Sequence, residues 1–185
     1  MFVLIAFGVY IPHFVVGLLL YPITLISAYI SYIYGLIFGK PHDKLHPFLK
    51  DVLIFYFNFS VGFFYIVSGY APFFLQEESN FGVKIDIKLS KKINRLYSFF
   101  RLTGLIFVLT IPHIIKSIVL FIIFVIISLF HWPYLIVRQK TPNYLIKLTE
   151  YVFTHSLKLK SFILGINNNY PDLKKALFKK KQGMN

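Results

Sequence analysis

Residues Leu102–Val137 read LTGLIFVLTIPHIIKSIVLFIIFVIISLFHWPYLIV, 36 residues in which Lys116 is the single charged side chain. A continuous helix of that length extends about 54 Å, well beyond a hydrocarbon core of about 30 Å. Basic residues flank both sides: Lys91, Lys92, Arg95 and Arg101 before it, Arg138 and Lys140 after it. Because cations stay on the cytoplasmic side during insertion, both ends are expected inside, which requires an even number of crossings. A helical hairpin of two short spans meets that condition and keeps backbone groups paired within helices. Lys116 then falls near the outer turn, where its side chain can snorkel to water. The run from Met1 to Phe38, which has no charged side chain, reads the same way. The competing geometry makes Phe2 to Ile11 and Leu102 to Ile111 short interfacial helices that bend at Pro12 and Pro112 before one longer span each.

The two runs are copies of one unit. At an offset of 100 residues, Ile11-Pro12-His13 falls on Ile111-Pro112-His113, Tyr34 on Tyr134, Lys40 on Lys140 and Tyr70 on Tyr170. Similarity at a fixed offset marks one structural element used twice. The third element of each copy is Phe48 to Val67 and its counterpart Leu148 to Asn167. The second carries Glu150, His155, Lys158 and Lys160, at about 2.5–3.5 kcal/mol for each central Asp, Lys or Arg in a lipid-facing span. It therefore reads as an amphipathic helix in the headgroup plane, with Leu145, Leu148, Val152 and Phe153 on its apolar face. The same role is assigned to the first copy, and if that is wrong Phe48 to Val67 is a fifth span. Val83, Ile85, Ile87 and Leu89 alternate with Lys84, Asp86 and Lys88 as in a short strand, which needs a partner.

The expected fold is thus an all-α integral membrane protein: two tandem repeats of a transmembrane hairpin plus an interfacial helix, with a short strand in the connector. Its parts are residues 1–73 (repeat 1), 74–100 (basic cytoplasmic connector), 101–173 (repeat 2) and 174–185 (basic tail). Four spans is the central estimate within a range of two to five. Met1 opens directly on apolar sequence without a basic n-region or cleavage site, so the first run is expected to be retained rather than cleaved.

Composition narrows the chemistry. Of 185 residues, 57% are hydrophobic and 15% charged, against about 25% charged in ordinary soluble domains. There is no cysteine, which removes disulfides and thiolate chemistry. The formal charge is +13, but the cations lie in connectors flanking apolar runs rather than on one base-stacking module, so nucleic acid is not the expected partner. Seven carboxylates are present and none falls inside an expected span, which leaves a buried proton relay nothing to use. No phosphate-cradling glycine loop, nucleophile elbow or zinc-binding helix motif occurs, so no enzymatic activity is expected.

Several motifs resemble those of a bacterial membrane family, the domain of unknown function 4389. They are Arg101 leading into Ile111-Pro112-His113, the Gly39-Lys40 turn, Tyr70-Ala71-Pro72-Phe73, and the strand-like Val83-Lys84-Ile85-Asp86-Ile87. The resemblance implies two tandem copies, the first shortened at its start, and a membrane location; it carries no known reaction. Where the family pattern has arginines and a tryptophan after the Gly-Lys turn, this chain has Ile54, Phe55 and Asn58.

His13 and His113 are equivalent positions beside prolines and form the candidate cofactor pair, for haem or metal; the competing role is capping of the proline-freed backbone. Two copies in the same orientation would place them at equal depth about an axis along the membrane normal. No cofactor is assigned. Trp132, Tyr134, Tyr32 and Tyr34 precede the basic turns and read as interfacial anchors. Lys174, Lys175, Lys179, Lys180 and Lys181 read as a tail contacting anionic lipid. The expected function is non-enzymatic: a small multi-pass inner-membrane protein, with connectors and C-terminus cytoplasmic, that binds anionic lipid or scaffolds a partner or a second copy of itself. A cofactor-binding protein or a small transporter are the alternatives.

Overall fold

The computed structural model describes residues 2–63, 83–85, 87, 89–138, 142–171 and 178–180. Both apolar runs form single unbroken helices, α1 (Phe2–Phe38) and α4 (Leu105–Arg138), which corrects the expected hairpins. The magnitudes explain the difference. A proline inside a helix costs about 3 kcal/mol, whereas a turn at mid-run leaves up to eight backbone groups to be satisfied, at about 1–3 kcal/mol each when buried. Neither run has a cluster of Gly, Asn, Asp or Ser at its centre to satisfy them, and Pro12 and Pro22 are accommodated within α1. Lys116 consequently lies in mid-helix, not in an outer turn, with its ammonium 5.9 Å from the centre of the Tyr151 ring.

Each long helix is followed by a shorter one, α2 (Leu45–Phe63) and α5 (Asn143–Ile163), and α3 (Arg95–Leu102) precedes α4. Asn94 caps α3, its side chain accepting the Leu96 amide at 2.9 Å. The helices close a circuit in which α1 packs on α2, α2 on α5, α5 on α4, α4 on α3, and α3 on α1. The two shorter helices form the middle of the molecule. Leu49, Leu53, Ile54, Phe57 and Val61 of α2 are buried together with Leu145, Val152, Phe153 and Leu157 of α5. Their apolar faces are covered by protein, which corrects the interfacial reading. A helical stripe reports that one face is covered, not what covers it.

Direction follows from the contacts. His46, at the start of α2, meets Gly165 just after α5, while Phe57 further along α2 meets Phe153 further back in α5, so these two helices are antiparallel. Phe124 of α4 meets the same Phe153. The ends of α1 and α5, the starts of α2 and α4, and α3 therefore share one end of the molecule, and α1 and α4 run in opposite senses. Two hairpins in the same orientation were expected; the structure has instead two long helices, α1 and α4, that run in opposite senses. The strand β1 (Val83–Ile85) pairs antiparallel with β2 (Phe178–Lys180), setting Lys84 opposite Lys179. The carboxy-terminal segment thus folds back on the connector, with Ile87 in the core.

Candidate functional site

Three helices converge on the end of α5. Gly165 sits in the left-handed region at φ +77. The Gly165 amide donates to Phe162 O at 3.1 Å and the Ile166 amide to Ser161 O at 3.0 Å, the pair of bonds that closes a Schellman turn. Ile166 is fully buried beneath it. The carbonyls of this end are taken by side chains from elsewhere in the chain. Arg101 of α3 donates Nε and Nη2 to Phe162 O at 3.1 and 2.8 Å. Tyr32 of α1 donates its hydroxyl to Ile163 O at 2.9 Å. His46 of α2 bonds Gly165 O through Nε2 at 3.0 Å, which requires the proton on Nε2.

The electrostatics are those of a cation at a helix carboxy-terminus, where the backbone dipole ends negative. The Arg101 guanidinium is 5% exposed and lies 5.3–6.0 Å from the centres of the Phe162, Tyr97 and Tyr32 rings. Burial pulls its pKa down to about 10, which leaves it protonated at neutral pH. The sequence reading took Arg101 as a flanking topological charge and Tyr32 as an interfacial anchor; both are built into this junction. A Cβ at position 165 would stand 3.3 Å from Tyr32 Cε1 and 3.4 Å from Arg101 Nη1. Since the left-handed backbone already costs a non-glycine residue about 1–2 kcal/mol, Gly165→Ala is expected to lower stability by at least that amount. Thermal unfolding of the purified protein checks this, and an unchanged midpoint would remove the junction from the account of stability.

His46 supplies a pH dependence. Burial lowers its pKa below 6.5, an effect only partly offset by the bond to Gly165 and reinforced by Arg101. The unfolded chain therefore takes up a proton first as pH falls. The contribution of this histidine to stability is complete above about pH 6.5 and is lost progressively as pH drops toward the folded pKa. The unfolding midpoint should fall between pH 7.5 and 5, and His46→Gln should flatten that slope.

The second feature is a seam along each long helix. The buried positions of α1 include His13, Gly17, Thr24, Ser27, Ser31 and Gly35, spaced by three, four or, from Gly17 to Thr24, seven residues, whereas Phe14, Leu18, Leu19 and Ile26 beside them are exposed. On α4, Thr110 and Ser128 are buried, while Val108, Val119, Ile123 and Phe130 are exposed. The two threonine hydroxyls are satisfied within their own helix: Thr24 donates to Leu20 O at 2.7 Å and Thr110 to Ile106 O at 2.8 Å. The sequence reading passed over this stripe, although its spacing of small and polar residues is visible in the chain.

His13 and His113 occupy corresponding places on the two seams. The His13 ring lies nearly parallel to Phe55 and Phe59 of α2, each 6.1 Å away. One hundred residues on, His113 meets His155 of α5 at 5.7 Å, and Tyr170 edge-on at 4.8 Å. The His13 ring also meets Tyr10 of its own helix at 5.5 Å, whereas Tyr170 lies in the segment that follows α5. Among the described residues no group of three or more His, Asp or Glu side chains is placed to hold a metal ion.

Tyr34 packs with Phe38 and His42 beside the end of α1. Trp132 and Tyr134 belong to the last turns of α4, and their side chains lie outside the described residues. Lys179 and Lys180 lie in β2, whereas Lys174, Lys175, Lys181 and the Tyr70-Ala71-Pro72-Phe73 motif fall outside the described residues. α1 and α4 contain segments long and apolar enough to cross a membrane, Tyr10–Phe38 and Leu105–Phe130. No protein-family model, curated protein or solved structure matches this chain.

Proposed function

We propose that this chain is a non-enzymatic integral membrane protein in which α1 and α4 cross the bilayer in opposite senses and a basic face binds anionic lipid headgroups. The observation that carries the reading is the reversal of the usual burial pattern. Hydroxyl and small residues point inward along both long helices, while Phe14, Leu18 and Val108 are 61–65% exposed. A water-soluble protein leaves no apolar surface of this extent uncovered. In lipid the pattern is favourable, because small residues allow helices to approach and large apolar ones contact acyl chains.

The two copies are then related by inversion, with an axis in the membrane plane. Support comes from the seams, which keep register at an offset of 100 (His13 with His113, Gly17 with Ser117, Ala28 with Ser128), and from α1 and α4 ending at Phe38 and Arg138. The family resemblance of the motifs supports two copies and a membrane location. Lys40, Lys44, Lys91, Lys92 and Arg95 all gather at the α3 end, against Arg138 and Lys147 near the other among the described residues. That imbalance sets the α3 end in the cytoplasm, where anionic lipids concentrate.

The chain lacks cysteine, so single cysteines at Lys44 and Gln139 can be labelled with a membrane-impermeant maleimide. Position 44 should react only from the cytoplasmic side and position 139 only from the opposite side. Reaction of both from one side would restore hairpins and overturn the inverted arrangement. A chain that dissolves without detergent would overturn the membrane reading altogether.

A further inference from the structure

A cavity of about 370 Å³ lies between α2, α4 and α5, within the size range of ligand pockets, about 300–1,000 Å³. Its origin is a difference between the two copies. In the first, Gly17 and Tyr56 close the gap between long and short helix. The Tyr56 hydroxyl donates to Gly17 O at 2.6 Å, and a Cβ on Gly17 would stand 3.3 Å from the Tyr56 ring. The positions 100 residues on are Ser117 and Ser156, both lining the cavity. Two small side chains replace a glycine filled by a tyrosine, and the space stays open.

The walls state what would fill it. Ile118, Phe121 and Ile122 line the cavity and are also 45–54% exposed on the outer face of α4, so the cavity opens toward the surface assigned to lipid. Phe153 and Leu157 of α5 form the inner wall. Of its polar groups Lys160 lies toward the α3 end, whereas Ser117 at the middle of α4 and Ser60 near the end of α2 lie farther along the walls. Lys160, three residues before the end of α5, is exposed at the rim, and Ser117 Oγ is buried without a hydrogen-bond partner. Apolar depth, lateral access and one cation at headgroup level match an acyl chain attached to an anion.

We propose that this cleft holds one acyl chain of an anionic phospholipid, its phosphate paired with Lys160 and its tail against Phe121 and Leu157. This rests on the membrane reading and narrows lipid contact from a diffuse basic face to one site. The test uses the full chain in nanodiscs with diazirine-tagged phosphatidylglycerol or phosphatidylcholine of identical acyl chains, with labelled peptides identified by mass spectrometry. Phosphatidylglycerol should label residues 117–122 and 152–160 several-fold more than phosphatidylcholine. Lys160→Gln should bring the two lipids level. Ser156→Tyr, which rebuilds the closure of the first copy, should remove labelling there without lowering the unfolding midpoint; if that variant does not fold, Ser117→Leu serves the same purpose. Equal labelling by both lipids, labelling spread evenly along the outer faces of α1 and α4, or labelling unchanged by the filling variant would overturn the site while leaving the membrane reading intact. Failure to enter nanodiscs at all would instead sink the membrane reading.

Discussion

Arg101→Leu is expected to lower the stability of the folded chain by about 2–4 kcal/mol, taking hydrogen bonds from a charged donor at about 1.5–3 kcal/mol each and an unsatisfied buried carbonyl at about 1–3. For a chain of this size that is a fall of roughly 5–15 °C in the unfolding midpoint. The effect is large because the guanidinium does three things together. It takes the Phe162 carbonyl with two nitrogens, neutralises the negative end of α5, and fills the space between the Tyr97, Tyr32 and Phe162 rings. Arg101→Lys should recover less than half of the loss. An ammonium is a point charge without the planar fork that reaches one carbonyl twice and lies against aromatic faces. A midpoint within a degree or two of the unmodified protein for Arg101→Leu would show that Tyr32 and His46 suffice to close α5 and that the buried cation is incidental. Because α3 leads through Gly104 directly into α4, loss of this anchor should also loosen the start of that helix. Proteolysis near Thr103 would report it.

How much of this was legible in the chain differs from element to element. The two apolar runs are unmistakable, and α1 and α4 end at Phe38 and Arg138, where the sequence passes to Gly39-Lys40 and Gln139-Lys140. The amphipathic stripe of α5 was legible too: Leu145, Val152 and Phe153 are buried as their spacing implied. What covers that stripe was not legible, because lipid and a neighbouring helix are equally apolar and leave the same periodicity. Continuity through Pro12 and Pro112 was hidden for a related reason. Proline permits a break without demanding one, and the alternative turn had no polar residues of its own. The expected parity of crossings follows from that single decision, and with α1 and α4 continuous the relation proposed between the copies changes with it. Arg101, Tyr32 and His46 come from three separate helices and share a destination only after α5 is placed. The one local clue was Gly165 after a helical stretch, the mark of a left-handed cap.

The sharpest separation between a bilayer and water as the solvent of α4 comes from its outer face. Val119, Ile123 and Ile126 are 42–50% exposed and fall on one side of the helix at spacings of four and three. Apolar residues at a membrane centre contribute about −0.3 to −0.6 kcal/mol each, roughly −6 to −12 over Leu105–Phe130, of which the central Lys116 already takes about 2.5–3.5; that leaves roughly −3 to −9, and each central Asp removes about 2.5–3.5 more. One aspartate is therefore tolerated and three are not. Val119→Asp alone should leave the chain in alkaline-resistant membranes, the pair with Ile123→Asp should reduce that fraction, and adding Ile126→Asp should abolish it. If α4 faced water, exposed substitutions would change stability by no more than about 0.5 kcal/mol each, and the same triple variant would gain solubility while keeping its fold. The two solvents thus give opposite signs for one set of changes. A soluble, folded triple variant would mean that the apolar belt is covered by another protein rather than by lipid, and the inverted crossing of α1 and α4 would fall with it.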